Sequence, residues 1–453
     1  MLNTDNNMAR DLPHILLVNP WIHDFAAYDF WAKPMGLLYI AALLRHHDVT
    51  VSYIDCLDRF HPRAPKSNPY ARYGRGPYLK TRITKPAVLY DVPRHFSRYG
   101  IKPSWFKEDL LKQVPPDLIL VTSLMTYWYP GVQETIQIIK AAFPSTPVVL
   151  GGIYARLCQD HAQKYSGAVQ VSIDRAEQTL FSIVERHVGY SIQPKFNSSD
   201  LDSYPFPALD LQSKINYAPI LTSRGCPFNC AYCVSGFLEP KRLQRSPESV
   251  LEEIKFWQKS FEIHDFVLYD DAFLVNAESH AIPIMKKICK SNLRIRIHTP
   301  NAVHIRRIDK ETADLMLQAG FTTLRLGLET AEFDHRTEFD KKVSEEDFNR
   351  AIICLKEAGF RKDQIGAYLL VGLPEQSWKS IEQSIRTVRR HGITPILAYY
   401  TPIPHTALWP KAVASSRYDL ESDPMVTNNA IVPCRKEPFS WEQISYLKKM
   451  AAD

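Results

Sequence analysis

The sequence predicts an α/β protein in two parts: a doubly wound, Rossmann-like parallel sheet, then a partial (β/α)6 barrel with a C-terminal extension. Three observations predict it. Short apolar runs alternate with amphipathic stretches along most of the chain, the pattern of parallel strands joined by covering helices. The alternation stops at residues 198–209, which contain Pro205 and Pro207, and restarts at Ile220. The length of 453 residues also exceeds what one core ordinarily supports.

In the first part, residues 14–19 are an apolar run ending before a proline, as a buried parallel strand does. Residues 36–46 put Leu37, Ile40, Ala41 and Leu44 on one helical face. Strands are expected at 49–54, 118–122 and 148–150, and helices at 132–143 and 180–186. A basic insertion at 59–105 interrupts the series, carrying Arg63, Lys66, Arg72, Arg75, Lys80, Arg82, Lys85 and Arg94. It is too long for a plain loop. No nucleic-acid-binding motif accompanies it, so it reads as a solvated insertion and no nucleic-acid partner is expected.

In the second part, strands are expected at 220–223, 266–269, 294–298, 323–328, 364–371 and 394–400. Helices are expected at 247–260, 282–290, 310–319, 345–358 and 377–391. Ser246-Pro247-Glu248 is a helix start, with a hydroxyl at the cap, proline in the first position and a carboxylate in the first turn. Chemistry in such a barrel belongs at the C-terminal ends of its strands. The divisions are therefore 1–195, a linker at 196–215, a barrel at 216–405 and an extension at 406–453.

Composition excludes several classes. No run of about 18 apolar residues predicts a membrane span. Residues 1–11 are polar and lack the apolar core of a secretion signal. Eight cysteines without such a signal do not suggest a disulfide scaffold, and a reducing, cytoplasmic setting is expected.

The sharpest local signal is Ser223-Arg224-Gly225-Cys226-Pro227-Phe228-Asn229-Cys230-Ala231-Tyr232-Cys233. Three thiols lie within eight residues, so one short loop can wrap three corners of a cubane cluster with the soft ligands iron and sulfide require. No fourth cysteine is near, which leaves one iron open to a ligand. A zinc site is the alternative, but zinc favours four ligands in paired spacing and no partner pair follows.

These residues resemble the radical S-adenosylmethionine (SAM) superfamily. The resemblance implies a [4Fe-4S] cluster on Cys226, Cys230 and Cys233, with SAM chelated at the open iron and cleaved reductively to a 5′-deoxyadenosyl radical. It places Tyr232 against the adenine and Phe228 among the SAM contacts. Tyr269-Asp270-Asp271-Ala272-Phe273, Gly327-Leu328-Glu329-Thr330, Gly372-Leu373-Pro374 and Pro402-Ile403-Pro404 match strand ends of the subgroup with an N-terminal cobalamin-binding domain. Asp270, Asp271 and Glu329 are thereby implied SAM-binding carboxylates. Alternatively, Asp271 caps a helix, and Glu329 pairs with an arginine such as Arg325. His298 faces the site or lies in the core.

The first four strands resemble a cobalamin-binding domain, a doubly wound fold with its ligand at the strand ends. The matching positions are Asn19, Thr122, Ser123, Leu124, Gly151 and Gly152, where the small and hydroxyl residues leave a nucleotide tail room to pass. The loop Trp21-Ile22-His23-Asp24-Phe25-Ala26 lacks the Asp-x-His-x-x-Gly cobalt-ligating pattern, so His23 is not its equivalent, and the cofactor is either held without a protein ligand or lost. The resemblance implies C-methylation of an unactivated carbon on a small-molecule or peptide substrate. It also implies a reducing partner such as flavodoxin or ferredoxin. The alternatives are a radical rearrangement or cyclisation without methyl transfer, and a non-catalytic iron–sulfur or cobalamin sensor. Cys56 and Cys158 are isolated, which argues against a methylthiotransferase with extra cluster cysteines.

Overall fold

The computed structural model describes residues 12–333, 342–436 and 440–452; the polar segment 1–11 lies outside the described residues. The chain opens with β1 (His14–Asn19) and a short β2 (Ile22–Asp24), then helix Met35–His46 and β3 (Thr50–Asp55). β4 (Lys80–Arg82) and β5 (Ser97–Tyr99) lie in the basic insertion, and β6 (Leu118–Val121), β7 (Val148–Leu150) and β8 (Gln170–Val171) follow. The parallel sheet runs β3-β1-β6-β7-β8, the 2-1-3-4-5 order of one doubly wound family. Side chains alternate between its faces. Leu16, Val18, Ile119 and Val121 pack with helix Tyr129–Ala142, whereas Ile15, Leu17, Leu118 and Leu120 pack with helices Met35–His46 and Ala176–Val188. β8 escapes sequence reading because Gln170 and Val171 are only half-buried and form no apolar run.

The basic insertion is not a solvated excursion. β4 and β5 join β2 in an antiparallel sheet, and Leu89, Val92, Phe96 and Ile101 are buried. Two of its arginines are spent internally, Arg59 on Asp29 at 2.8 Å and Arg98 on Glu134, while Arg63, Lys66, Arg72, Lys80 and Arg82 are exposed.

The second series begins at β9 (Ala218–Ile220), followed by β10 (Ser223–Arg224) and β11 (Leu243–Gln244). Then come β12 (Asp265–Leu268), β13 (Arg296–His298), β14 (Phe321–Glu329), β15 (Ile365–Val371) and β16 (Thr394–Tyr399). Six strands pair in parallel in the order β16-β15-β14-β13-β12-β9. Among the described residues β16 does not pair with β9, so the barrel is partial. The strand expected at 220–223 is two elements: β9 stops at Ile220, and Ser223 turns into the antiparallel β10–β11 pair. Side-chain oxygens of Ser246, Asp309, Ser344 and Ser377 cap the outer helices. No helix among the described residues is long and apolar enough to cross a membrane.

The extension is more than an appendage. Ile444 and Leu447 enter the barrel core, while Met425 and Ile431 enter the core of the first sheet. A second link ties the halves at the start of the cysteine loop. Arg224 pairs with Glu177 at 2.7 Å, Arg175 pairs with the same carboxylate at 2.6 Å, and Arg175 reaches Glu239 at 3.5 Å. A third contact fills the inner face of the barrel sheet. The Trp31 ring stacks on His298 of β13 with centroids 4.7 Å apart, Tyr73 lies against the same imidazole at 4.9 Å, and the Trp31 indole N–H donates to the Tyr73 carbonyl.

Two outcomes follow from this packing. Trp31→Ala removes a buried ring from the inner face and should lower the unfolding free energy by about 3–5 kcal/mol, read by guanidinium denaturation. Burial works to raise the Glu177 carboxyl, but Arg224 and Arg175 overcome it and hold it below the ordinary glutamate value. Its stabilisation is therefore complete above the unfolded value of 4.5 and is lost as pH falls through the lower folded value. Glu177→Gln should cost on the order of 2 kcal/mol at pH 7, and the gap to wild type should close in urea titrations taken down to acid pH.

Candidate functional site

The cysteine loop is shaped by backbone constraints on both sides. Gly225 has φ +78°, and a Cβ there would stand 3.0 Å or less from the carbonyl oxygens of Glu239 and Lys241, so only glycine fits without strain. The Arg242 guanidinium donates to the Gly225 carbonyl at 2.9 Å and to the Ala272 carbonyl at 2.9 Å, clamping the loop to the turn after β12. Cys233 N–H donates to the Cys230 carbonyl at 3.0 Å, and Leu408 N–H to the Ala231 carbonyl at 2.8 Å. Ser235 N–H points at the Cys233 sulfur at 3.5 Å. All eight cysteines are free thiols; Cys230 is buried, Cys226 half-buried and Cys233 exposed. Among the described residues no three His, Cys, Asp or Glu side chains converge as on a single metal ion. Cubane ligands each take a different iron and need not converge.

Aromatic rings flank this loop. Phe228 stacks on His304, with centroids 4.7 Å apart. Burial, then Lys342 and Arg242, push His304 down to about 3, so it is neutral near pH 7. The Tyr232 hydroxyl accepts from Lys342 Nζ at 3.1 Å.

The three implied carboxylates have different surroundings. Asp270 is buried and accepts from Thr222 N–H at 3.1 Å, from the Thr222 hydroxyl at 2.6 Å and from the Ser223 hydroxyl at 2.6 Å. Both its oxygens are thus spent on the segment leading into the cysteines. Asp271 is exposed, and the next helix begins only at Ala281, so it caps none. Partial desolvation, then the neighbouring Asp270 and Glu239, push it up to about 6. Glu329 ends β14 with φ +63°, beside a register shift against β15. The Arg325 guanidinium donates to the Leu324 carbonyl at 2.9 Å and forms no ion pair with Glu329. His298 is a core residue, held between Thr323 Oγ1 and Asp265 Oδ1 at 3.0 Å each.

A cavity of about 340 Å³ opens at the C-terminal ends of the first sheet, the size of a nucleotide-like group. Thr122, Gly151 and Gly152 line it together with Gly36, and Gly225 and Asp271 form part of its wall. A Cβ at Gly36 or Gly151 would meet nothing within 4 Å, so both glycines face open space. Gly152 has φ +96° and lies against Ser123. The Ser123 hydroxyl donates to the Gly151 carbonyl at 2.7 Å, which shapes the turn, and Leu124 is 46% exposed. Asn19 stands apart. Its amide donates to Asp55 at 2.7 Å, and it lines a separate cavity of about 80 Å³ with Lys33 and Arg59. His23 is buried against Glu134 at 2.9 Å. Sequence reading missed Arg242, His304, Lys342 and the Arg175–Glu177–Arg224 cluster; only Arg224, directly before Gly225-Cys226, lay where a local motif could have drawn attention to it.

Residues 220–388 match the sequence profile of the radical SAM superfamily. The chain is 24% identical over 376 residues to an uncharacterized methyltransferase of Pyrococcus horikoshii, covering 76% of this chain and 79% of that one. It is 21% identical over 426 residues to the cytidylyl-2-hydroxyethylphosphonate methyltransferase of Streptomyces wedmorensis, covering 81% and 74%. It is 23% identical over 330 residues to the anaerobic magnesium-protoporphyrin IX monomethyl ester cyclase of Rubrivivax gelatinosus, covering 65% and 58%. Its fold resembles that of the radical SAM methyltransferase TsrM from Kitasatospora setae, solved with cobalamin and a [4Fe-4S] cluster. That match has a TM-score of 0.66 at 16% identity, over 89% of this chain and 75% of that one. The segment that matches the radical SAM superfamily is thus the barrel that carries Cys226, Cys230 and Cys233.

Proposed function

We propose that the chain is a cobalamin-dependent radical SAM methyltransferase acting on an unactivated carbon. In this reading 1–195 is the corrin-binding unit, 196–215 the linker, 216–405 the radical barrel and 406–453 the extension. One observation carries it: the cavity lined by Thr122, Gly151 and Gly152 shares a wall with Gly225, the residue before Cys226. The two binding regions are therefore adjacent, as transfer between two cofactors requires. The methyltransferases among the relatives support the same reading.

The residues suit the groups. Cys226, Cys230 and Cys233 are a soft donor set free of disulfides. Ser235 N–H beside the Cys233 sulfur is the kind of donor that adjusts a cluster's potential. When bound, the cluster would supply the electron for SAM cleavage and the corrin the methyl group. Phe228 and Tyr232 would offer aromatic faces to the adenine. Asp271, still mostly ionised at neutral pH, and Glu329 would accept hydrogen bonds from the amino group and ribose of SAM. Asp270 acts instead by holding Thr222 and Ser223 in place. Open space at Gly36 and Gly151 leaves room for a nucleotide tail, with Ser123 holding the Gly151 turn by its hydroxyl. Trp31 and Tyr73 fill the inner face and keep water from a radical. A flavodoxin- or ferredoxin-class donor would supply the electron, and Cys233 is the most exposed of the three thiols.

A second reading, cyclisation or rearrangement without methyl transfer, is favoured by one observation. His23 is tied to Glu134 and offers no cobalt ligand. A cyclase also stands among the relatives.

Anaerobic reconstitution with iron, sulfide and hydroxocobalamin, followed by dithionite and SAM, tests both readings. The wild type should yield 5′-deoxyadenosine and retain corrin. Joint replacement of Cys226, Cys230 and Cys233 by alanine should reduce iron, visible absorbance and SAM cleavage to background. SAM cleavage by a chain that retains no corrin would select the second reading; neither cleavage nor cluster would defeat both. Gly151→Leu projects into open space, so it should reduce corrin retention at least about tenfold, about 1.4 kcal/mol, while leaving the melting temperature unchanged.

A further inference from the structure

Two guanidinium groups on the inner face of the barrel sheet have no acid partner among the described residues. On β14, Leu324, Leu326 and Leu328 pack into the outer core, so Arg325 between them faces inward. Its Nη1 donates to the Leu324 carbonyl at 2.9 Å and lies over β15, where a Cβ at Gly366 would meet it at 3.2 Å. Arg75 comes from the basic insertion. Its guanidinium sits 4.5 Å over the Trp31 ring, and its Nε donates to the Arg72 carbonyl at 2.9 Å. Both side chains are half-buried, and neither forms an ion pair among the described residues. By contrast, Arg59, Arg98, Arg175, Arg224 and Arg245 each pair with a carboxylate. Arg242, the other such arginine near the loop, is committed to backbone carbonyls.

Partly buried cations without a counter-charge are costly. Burial lowers both guanidiniums from their ordinary value, and Arg75 lowers Arg325 further. The segments that bring Arg75 there are themselves strained. Trp31, Arg72 and Tyr73 have φ of +70°, +52° and +59°, in the left-handed region that bulky side chains avoid. Such strain persists where surrounding structure imposes it, and it concentrates at functional sites. The remaining wall is aromatic. Trp31, Tyr73 and Tyr368 surround the position, and the Tyr368 hydroxyl donates to the Pro300 carbonyl at 2.8 Å.

We propose that Arg75 and Arg325 together bind the anionic group of the substrate, a carboxylate or a phosphoryl group, on the inner face of the barrel. Guanidinium forks match both oxyanions, and a pair of them neutralises one in a site partly shielded from water. The inference rests on the radical SAM reading only for the word substrate. The anion site itself rests on the two unpaired cations and can be measured without turnover.

The test is calorimetric titration of the full reconstituted chain with phenyl phosphate, benzoate and neutral benzyl alcohol. At least one anion should bind with single-site stoichiometry, and the alcohol at least about tenfold more weakly, 1.4 kcal/mol. Stronger binding of phenyl phosphate assigns a phosphoryl group, and stronger binding of benzoate a carboxylate. Arg75→Gln and Arg325→Gln should each weaken the anion about tenfold. Melting curves separate this from a structural role. Arg325→Met should match or exceed the wild-type melting temperature without ligand while losing the anion-induced rise. The proposal is overturned if no anion saturates the wild type, if the alcohol binds as well, if the glutamine variants bind unchanged, or if Arg325→Met unfolds the chain at lower temperature. Cluster content and 5′-deoxyadenosine formation by the same wild-type sample report separately on the radical reading.

Discussion

The site depends on the buried carboxylate of Asp270. A carboxylate taken out of water must find donors or become protonated. Asp270 finds three, one backbone N–H and two hydroxyls, all from Thr222 and Ser223. These bonds connect the end of β12 to the stretch between β9 and β10. They explain why β9 stops at Ile220 rather than continuing to Ser223, and why the chain leaves the sheet at the point where the cysteines begin. His280 completes the arrangement, its ring nitrogen 2.9 Å from the Thr222 hydroxyl. Arg242 then holds Gly225, two residues on from Ser223, by its carbonyl. The orientation of the cysteine loop is set before the first cysteine is reached.

Carboxylates join the larger parts of the molecule in the same way. Glu177 joins the first sheet's helical layer to Arg224 of β10. Asp24 accepts from the Asn428 amide at 2.8 Å and the Trp128 indole at 2.7 Å, so the extension is bound to β2 and to the segment after β6. Burial pushes Asp24 up, and its hydrogen bonds counter that push. Satisfied polar networks in low-dielectric junctions favour one arrangement, because any shift would strand a charge. The cavity at Gly151 and the loop at Cys226 therefore keep a fixed relation.

Legibility in the sequence followed the range of the interaction responsible. The strands of both sheets were readable because each is a local apolar run. Boundaries moved by a residue or two, except at 220–223, where Asp270, distant in sequence, ends the strand. Cys226, Cys230 and Cys233 were readable because one loop carries all three. β8 was not, since its two residues gain their place only by pairing with β7. Asn19 shares the small and polar character of Thr122 and Gly151, yet its amide turns toward Asp55 on the neighbouring strand, a choice set by registry rather than residue type. The insertion misled for the same reason. Arg59 and Arg98 look solvated until Asp29 and Glu134, distant in sequence, are found beside them.

The contact between Trp31 and His298 shows what such long-range pairing achieves. A six-stranded partial barrel has an inner face that its own side chains do not fill; here Thr323, Gly327 and Gly366 contribute little volume. Left open, that face would admit water beside a radical. Aromatic rings from the first part of the chain supply the missing volume, and His298, pinned by Thr323 and Asp265, gives them a flat surface to stack on. The left-handed φ values at Trp31, Arg72 and Tyr73 are what it takes to deliver rings and a guanidinium from short loops into that space. The first part of the chain therefore does more than offer a cavity of its own: its aromatic rings pack on the inner face of the barrel sheet.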